Sequence, residues 1–211
     1  MITLDRVSHD FQNRNVISNV SLSIEKNGLC CIGANGTGKT TLLKIISGKL
    51  KPMKGTVHYQ DPGYDARNEK GKRGIGVCFN DIGLFPLLSP RENLRLFAKL
   101  GKLSDIPDHS LKDIQDFRIE TILDQKTHLL SSGELQKLAL IRSWILQPKV
   151  LILDEPSNFL DQESKSILLH RLEAEKTRKT LMILASHDSD FISQIDLPIL
   201  STDKLHQGLS S

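Results

Sequence analysis

The sequence is poor in aromatic residues and in cysteine. Aromatic side chains make up only 5% of the 211 residues, so aliphatic side chains must fill most of the core. The three cysteines, an odd number, all lie in apolar stretches; they are Cys30, Cys31 and Cys78. This pattern argues against a disulfide framework and favours buried free thiols. Their spacing also suggests no metal site.

Long apolar runs and a strong charge imbalance are missing as well. No run reaches the ~20 apolar residues that a membrane span needs, and residues 1–6 do not resemble the start of a signal peptide. We therefore expect a cytoplasmic protein that reaches a membrane, if at all, through partner subunits. The net charge is only +3, so we expect no nucleic-acid partner.

The pattern of apolar residues predicts one domain of mixed α/β structure. Apolar and polar residues alternate through 19–24, which is typical of a half-buried antiparallel strand. Continuous apolar runs, which are typical of parallel strands covered on both faces, occur at 29–32, 150–153 and 180–185. The polar stretch 60–73 predicts a surface loop, and residues 104–129 predict short helical pieces.

Residues 33–40 match the phosphate-binding pattern G-x-x-x-x-G-K-[ST] at every specified position. These residues are Gly33, Ala34, Asn35, Gly36, Thr37, Gly38, Lys39 and Thr40. Glycines let the backbone curl so that N–H groups point at phosphate oxygens, and a helix that begins here adds its positive end. Lys39 can reach the β- and γ-phosphates, and the Thr40 hydroxyl can bind Mg²⁺. The apolar strand predicted before the loop and the helix predicted after it support a nucleotide site.

Two further predicted strands are followed by polar residues. Asp154 and Glu155 follow the run 150–153, and His187 comes after the run 180–185. Ligands of open parallel sheets bind at the carboxyl ends of the strands. Asp154 can therefore hold Mg²⁺ directly or through water, and Glu155 can orient or deprotonate an attacking water. A lone histidine is more often structural, but at this edge His187 becomes a candidate sensor of the γ-phosphate.

A third motif gives the sequence a family resemblance. Residues 130–134 read Leu-Ser-Ser-Gly-Glu, which is similar to the signature LSGGQ. They open a predicted long helix, with Ser131 as the N-cap and Glu134 completing a capping box. With the phosphate loop before this motif and Asp154 after it, the chain resembles the ATP-binding cassette (ABC) ATPases over essentially its whole length.

The resemblance implies the fold. We expect an α/β protein with a RecA-like P-loop NTPase core of mainly parallel sheet, an N-terminal antiparallel β subdomain and a small inserted α-helical subdomain. The implied boundaries are residues 1–79 and 148–211 for the core with its antiparallel part, and about 80–147 for the helical subdomain.

The resemblance also implies a role for each matching residue, with ATP and Mg²⁺ as cofactors. The implied catalytic residues are Glu155, His187, Lys39 and Asn80, and the implied Mg²⁺ ligands are Thr40, Asn80 and Asp154. The nucleotide would be bound by Phe11, through stacking on adenine, and by Gly33, Ala34, Asn35, Gly36, Thr37, Gly38, Lys39, Thr40 and Thr41. A second subunit would contribute Ser131, Ser132, Gly133 and Glu134, since a helix start cannot turn onto the phosphate loop of its own chain.

Three residues depart from the family pattern. Asn80 stands where the family has glutamine, and its side chain is one methylene shorter. Ser132 replaces the first signature glycine and adds a side chain where backbone would approach the γ-phosphate. Glu134 replaces the signature glutamine, which the family tolerates. We expect the first two changes to affect hydrolysis rather than ATP binding.

The leading hypothesis is therefore the ATPase subunit of an ABC transporter, which dimerises on ATP, as a homodimer or with another cassette, and drives separate integral membrane subunits. It would sit on the inner face of a membrane. The apolar stretch 84–88 either docks these subunits or packs in the helical subdomain, and the sequence favours neither. One alternative is a non-transport ABC ATPase that acts as an ATP-driven switch on a soluble protein or nucleic-acid partner. Another is a module that binds ATP without turnover, as Asn80 and Ser132 would allow.

Overall fold

A computed structural model describes residues 1–11, 14–25, 27–81, 83–202 and 205, with the backbone alone for residues 11, 14 and 15. The described chain forms two β-sheets and seven α-helices. One sheet is antiparallel and the other is parallel, so the predicted α/β architecture is confirmed.

The antiparallel sheet has three strands. They are β1 (Ile2–Phe11), β2 (Arg14–Ile24) and β4 (Lys54–Tyr59), in the order β2-β1-β4. Ile2 of β1 lies opposite both Ile24 of β2 and Tyr59 of β4. The alternation in residues 19–24 has the expected effect, because Val20 and Ile24 are buried in the core.

The parallel sheet has five strands in the order β5-β6-β7-β3-β8. They are β3 (Gly28–Ile32), β5 (Ile75–Cys78), β6 (Val150–Asp154), β7 (Leu181–Ser186) and β8 (Ile199–Ser201). Every residue of β6 and β7 is buried, as the continuous apolar runs predicted. The adjacent strands β6, β7 and β3 end at one edge of the sheet, and this edge carries the predicted site residues.

Helices and short turns connect these strands. They are α1 (Lys39–Ile46), α2 (Glu69–Lys72), α6 (Gln162–Thr177) and α7 (Ser189–Ser193). The prediction that residues 60–73 are a plain loop is wrong, since they contain a 3-10 turn (Pro62–Tyr64) and α2. The Asn68 side chain starts α2 by accepting a hydrogen bond from the Gly71 amide at 2.7 Å. A four-residue helix is too short to show a helical period in the sequence.

Three longer helices lie between β5 and β6. They are α3 (Pro90–Leu100), α4 (Asp108–Asp116) and α5 (Ser132–Trp144), with 3-10 turns at Glu120–Ile122 and Thr127–Leu129. Capping boxes start α3 at Ser89 and α5 at Ser131, and the sequence predicted the one at Ser131. The division of the chain into subdomains near residues 80 and 147 remains a prediction.

The core lies on both faces of the parallel sheet. Leu151 and Leu153 of β6 pack with the helices that follow β5, while Val150 and Ile152 pack with α1 and the antiparallel sheet. This alternation follows from the two-residue period of a strand. It explains why the whole run 150–153 had to be apolar.

The three cysteines are buried and free, as predicted. Burial, together with the nearby charge of Glu155, raises the pKa of the Cys30 thiol to about 11. Burial likewise raises the pKa of Cys78 to about 12. These thiols are therefore protonated at neutral pH and serve as packing groups. Over the described part of the chain, we find no helix with the length and apolarity to cross a membrane.

Candidate functional site

The phosphate-binding loop follows β3 and leads into α1. Gly38 is the N-cap of α1 with φ 95°, and Gly36 has φ 83°, a backbone region that glycine adopts without strain. Among the described residues, no side chain caps the first turn of α1. The first N–H groups of this helix are therefore available to an anion, which its dipole also favours.

Lys39, the first residue of α1, folds back over this loop. Its Nζ donates hydrogen bonds to the carbonyl oxygens of Gly33 at 2.7 Å and Ala34 at 3.1 Å. The side chain is only 6% exposed. A cation is thus held beside the open N–H groups, within the same loop.

Thr40 and Asp154 come together from two elements. The Thr40 hydroxyl donates to Asp154 Oδ2 at 2.7 Å. Burial, and to a lesser degree the charge of Glu155, raise the pKa of Asp154 above its usual range. Within the described residues, Asp154 Oδ1 is buried without a hydrogen-bond partner. A buried carboxylate oxygen without a partner, next to a hydroxyl, is a donor set that suits Mg²⁺.

Glu155 links Lys39 to His187. One carboxylate oxygen, Oε2, lies 2.8 Å from His187 Nδ1 and accepts a hydrogen bond from the His187 amide at 3.2 Å. The other, Oε1, lies 3.6 Å from Lys39 Nζ and is buried with no hydrogen bond among the described residues. Glu155 has a φ of 51°, so the backbone turns sharply as β6 ends. A strained non-glycine residue of this kind is common at functional sites.

A cavity of about 240 Å³ lies against these groups. Its lining contains Asn35, Gly36, Gly38, Lys39, Thr40, Thr41, Asn80, Glu155 and Val16. The structure thus brings the exposed Asn80 to the phosphate loop, as predicted. Val16 was not predicted, because only the pairing of β2 with β1 places it there. Phe11 ends β1, and its side chain lies outside the described residues.

The signature residues lie elsewhere. Over the described chain, the lining of this cavity does not include Ser131, Ser132, Gly133 or Glu134. The Ser131 hydroxyl donates to Glu134 Oε2 at 2.6 Å, and this carboxylate also accepts from the Ser131 amide at 2.8 Å. These bonds hold the pKa of Glu134 below its usual range.

The backbone of Phe159 lies close to this signature. A Cβ at Gly133 would come within 2.8 Å of the Phe159 carbonyl oxygen, so only glycine fits there. Phe159 itself has φ 62° and is 70% exposed, which nothing in the sequence predicted.

A larger cavity, of about 750 Å³, lies between α4 and α6. Charged side chains line it, but it contains none of the predicted site residues. Most of its charges are already paired, for example Arg118 with Glu163 and Arg171 with Glu175. The smaller cavity at the phosphate loop combines open N–H groups with Lys39, the Thr40 hydroxyl and the Glu155 carboxylate. We therefore assign the chemistry to the smaller cavity.

Comparisons with known proteins agree with this geometry. A family model described as "ABC transporter" matches residues 17–158, which is more than half of the chain. The chain is 30% identical over 211 residues to the lipoprotein-releasing system ATP-binding protein LolD of Desulfotalea psychrophila, and the match covers 93% of each. It is 32% identical over 200 residues to the ABC transporter ATP-binding protein NatA of Bacillus subtilis, covering 89% of this chain and 79% of NatA.

Solved structures show the same fold. The dimeric structure of MJ0796, a bacterial ABC transporter cassette, is similar with a TM-score of 0.82 and 22% identity, covering 96% of this chain and 95% of that one. CbiO1 from Clostridium perfringens, part of the ABC transporter complex CbiONQ, gives a TM-score of 0.69 and 26% identity, covering 95% of this chain and 83% of that one. The chain belongs to the ABC transporter family, as one of its ATP-binding and ATP-hydrolysing components.

Proposed function

We propose that this ABC ATPase binds MgATP in the cavity beside Lys39, hydrolyses it with Glu155, and thereby drives separate membrane subunits of a transporter. The observation that carries the proposal is the contact between residues that follow three strands, two of which, Lys39 and Glu155, line the cavity. Lys39 follows β3, Glu155 follows β6 and His187 follows β7. The three side chains form a continuous chain of contacts through the two oxygens of Glu155.

Thr40 and Asp154 would hold the Mg²⁺ ion. The support is Asp154 Oδ1, which has no hydrogen-bond partner in the described part of the chain, and the Thr40 hydroxyl, which donates to the other oxygen. Asn80 lines the same cavity and offers an amide oxygen. When bound, Mg²⁺ supplies positive charge to the phosphate oxygens.

The residues of the chain itself would orient the phosphates and the water. Lys39 can exchange its two carbonyl partners for phosphate oxygens, because its long side chain rotates while the loop stays in place. Glu155 Oε1 accepts no hydrogen bond from the described residues and can accept one from a water. His187 holds the other oxygen of Glu155 through its amide and its ring. Phe11 is proposed to stack on the adenine.

A second cassette would complete each site. The signature residues 131–134 start α5 but do not line the cavity of their own chain, among the residues described. A helix N-terminus is a natural anion site. We propose that the signature of one subunit faces the phosphate loop of another, in a homodimer or in a pair with a different cassette.

The apolar stretch 84–88 supports a membrane partner. Leu84 packs against the core, but Phe85 is 49% exposed and Leu87 is 73% exposed. Core packing therefore accounts for only part of this stretch, and exposed apolar side chains are typical of a docking surface. We propose a peripheral location on the cytoplasmic face of a membrane, held there by partner subunits.

Titration with MgATP in a calorimeter tests the binding site. We expect Lys39→Ala to raise the Kd of ATP by about 10- to 100-fold, because charge-assisted hydrogen bonds contribute ~1.5–3 kcal/mol. Lys51→Ala is the matched control, since Lys51 is exposed and lies outside the cavity lining; it should bind as the wild type does. Equal affinity in both variants would contradict the proposed site.

The alternatives give different results. A non-transport ABC ATPase would hydrolyse ATP but would not be retained by vesicles that carry the transporter's membrane subunits. A module without turnover would bind ATP, yet its phosphate release would not change with Glu155→Gln. Asn80 and Ser132 are the residues that keep this second alternative open.

A further inference from the structure

The phosphate loop touches a residue from the far end of the chain. The Thr37 hydroxyl lies 2.5 Å from the Thr202 hydroxyl, and the two residues are 165 positions apart. Thr202 Oγ1 also donates to the Ile32 carbonyl at 3.0 Å, at the end of β3. Thr202 is fully buried. One hydroxyl thus connects the last residue of β3 with the middle of the phosphate loop.

Gly33 leaves the space for this contact. A Cβ at Gly33 would lie 2.2 Å from Thr202 Oγ1 and 3.0 Å from Thr37 Oγ1. The φ of Gly33 is 152°, which also disfavours a side chain. The first glycine of the loop is therefore required by the position of Thr202, in addition to any approach of phosphate.

The neighbours of Thr202 in the chain belong to the folded core. It follows β8 directly, where Ser201 pairs with Ile32 of β3. Leu205, three residues on, is fully buried in the core beneath the antiparallel sheet. The hydroxyl of Thr202 thus has a defined position from which it can hold the phosphate loop.

The two hydroxyls share two protons among three contacts. Thr37 Oγ1 lies within hydrogen-bond distance of the Ala34 carbonyl at 2.9 Å, Thr202 Oγ1 lies close to the Ile32 carbonyl, and the hydroxyls touch each other. Each hydroxyl has one proton, and two oxygens 2.5 Å apart need a proton between them. Only one of the two carbonyls can therefore accept a hydroxyl proton at a time. In both arrangements the Thr37–Thr202 contact persists.

Lys39 influences which of the two carbonyls accepts a hydroxyl proton. The Ala34 carbonyl accepts from Lys39 Nζ in this structure, which leaves the Thr37 proton free for Thr202. When Lys39 turns to a phosphate, Ala34 loses that donor, and the Thr37 hydroxyl can replace it while accepting from Thr202. The Ala34 carbonyl can thus keep a donor when Lys39 leaves, while the Gly33 carbonyl loses Lys39 and the Ile32 carbonyl loses the Thr202 hydroxyl.

We infer that Thr202 is a positioning residue that holds the phosphate loop, through Thr37, in the form that binds ATP. The inference rests on the proposed function, because it concerns the same nucleotide site. A loop that is ordered before binding loses less entropy when ATP arrives. Thr202 should therefore act on ATP affinity more than on turnover.

The test measures Kd for MgATP by calorimetry and kcat for phosphate release in the wild type, Thr202→Val and Thr202→Ser. We expect Thr202→Val to raise Kd and KM about three- to tenfold, the effect of one hydrogen bond, while kcat at saturating ATP stays within about twofold. Thr202→Ser should bind within about twofold of the wild type. If serine fails to rescue binding, packing rather than the hydroxyl is responsible, and the inference is overturned.

Thr180→Val is the matched control for the loss of a buried hydroxyl. Thr180 is 2% exposed, and its hydroxyl donates to Glu175 at 2.7 Å, outside the cavity lining. This variant should lose thermal stability without any change in the Kd of ATP. An equal rise in Kd for Thr180→Val and Thr202→Val would show a general effect of destabilisation and would overturn the inference.

Thr37→Val keeps the test decisive if Thr202→Val folds poorly, and a double-mutant cycle extends the test when both variants fold. Thr37→Val should raise Kd as Thr202→Val does, and the double variant should be no worse than either one, because both remove the same contact. Additive effects, or a Thr37→Val variant with wild-type affinity, would overturn the inference. A wild-type protein that does not bind ATP would instead overturn the proposed function.

Discussion

At the scale of single residues, the site combines groups whose charges oppose each other until a ligand arrives. Asp154 and Glu155 are adjacent carboxylates, both buried at the end of β6. Among the described ion pairs, the Lys39 ammonium group lies 3.6 Å from Glu155 Oε1 and offsets part of this negative charge. Two adjacent buried carboxylates favour the binding of cations but lower the stability of the nucleotide-free protein.

The burial of Asp154 predicts how the stability of the protein depends on pH. Burial raises the pKa of Asp154, so the folded state holds this proton more tightly than the unfolded state does. The stability contributed by the protonated group is complete below the unfolded pKa and is lost as pH rises through the folded pKa. We therefore expect Asp154→Asn to raise the Tm of the nucleotide-free protein at neutral pH. The difference should shrink toward pH 3.

Asp188→Asn should change the Tm in the opposite direction. The ion pair and hydrogen bond with Lys165 hold the pKa of Asp188 below its usual range, so its contribution is present above the unfolded pKa and is lost in acid. This variant should have a lower Tm than the wild type at neutral pH. Thermal melts of both variants between pH 3 and pH 8 check the pair, and equal signs at neutral pH would refute the electrostatic explanation.

The sequence predicted those site residues whose signal is local. The spacing of Gly33, Gly38 and Lys39 is a local pattern, and so is an acidic pair after an apolar run. Val16 and Thr202 reach the loop from distant parts of the chain, and no local pattern carries that information. The positive φ of Glu155 and Phe159 likewise depends on tertiary packing.

At the scale of secondary-structure elements, the helix starts are the best-defined features. Two capping boxes, at Ser89 and Ser131, have the same reciprocal bonds, with Glu92 and Glu134 as their partners. The box at Ser131 was predicted from the sequence because the motif needs only four residues. The four-residue α2 was not visible, since its start depends on the Asn68 side chain and its length gives no period.

The two caps allow a matched prediction. Ser89→Ala and Ser131→Ala should each lower the free energy of unfolding by about 1 kcal/mol, the usual cost of losing an N-cap. Chemical denaturation measures this cost. Only Ser131→Ala should also weaken ATP-dependent pairing of subunits, because Ser131 belongs to the proposed second half of the site. Loss of pairing in both variants would show that stability alone is responsible.

At the scale of the whole molecule, the two faces of the parallel sheet have different tasks. One face packs on α1 and the antiparallel sheet, and the other packs on the helices between β5 and β6. The sequence predicted both kinds of strand from their apolar patterns. It did not predict the order β5-β6-β7-β3-β8, because strand order depends on long-range pairing.

The position of α5 predicts a change in mass with ATP. Its N-terminus does not line the cavity in the part of the chain described, so a complete site needs another subunit. We expect Glu155→Gln to move from monomer to dimer in light scattering when MgATP is added, and ADP should not have this effect. A mass that stays monomeric in MgATP would contradict the homodimer and favour pairing with a different cassette.

The most direct test is the rate of phosphate release by the wild type and by Glu155→Gln, both saturated with MgATP. Glutamine keeps the size of the side chain but cannot accept a proton from water. General-base catalysis contributes about 10²- to 10⁴-fold, so we expect a loss of at least about 100-fold with ATP affinity preserved. Equal rates in the two proteins would show that Glu155 does not carry the hydrolysis.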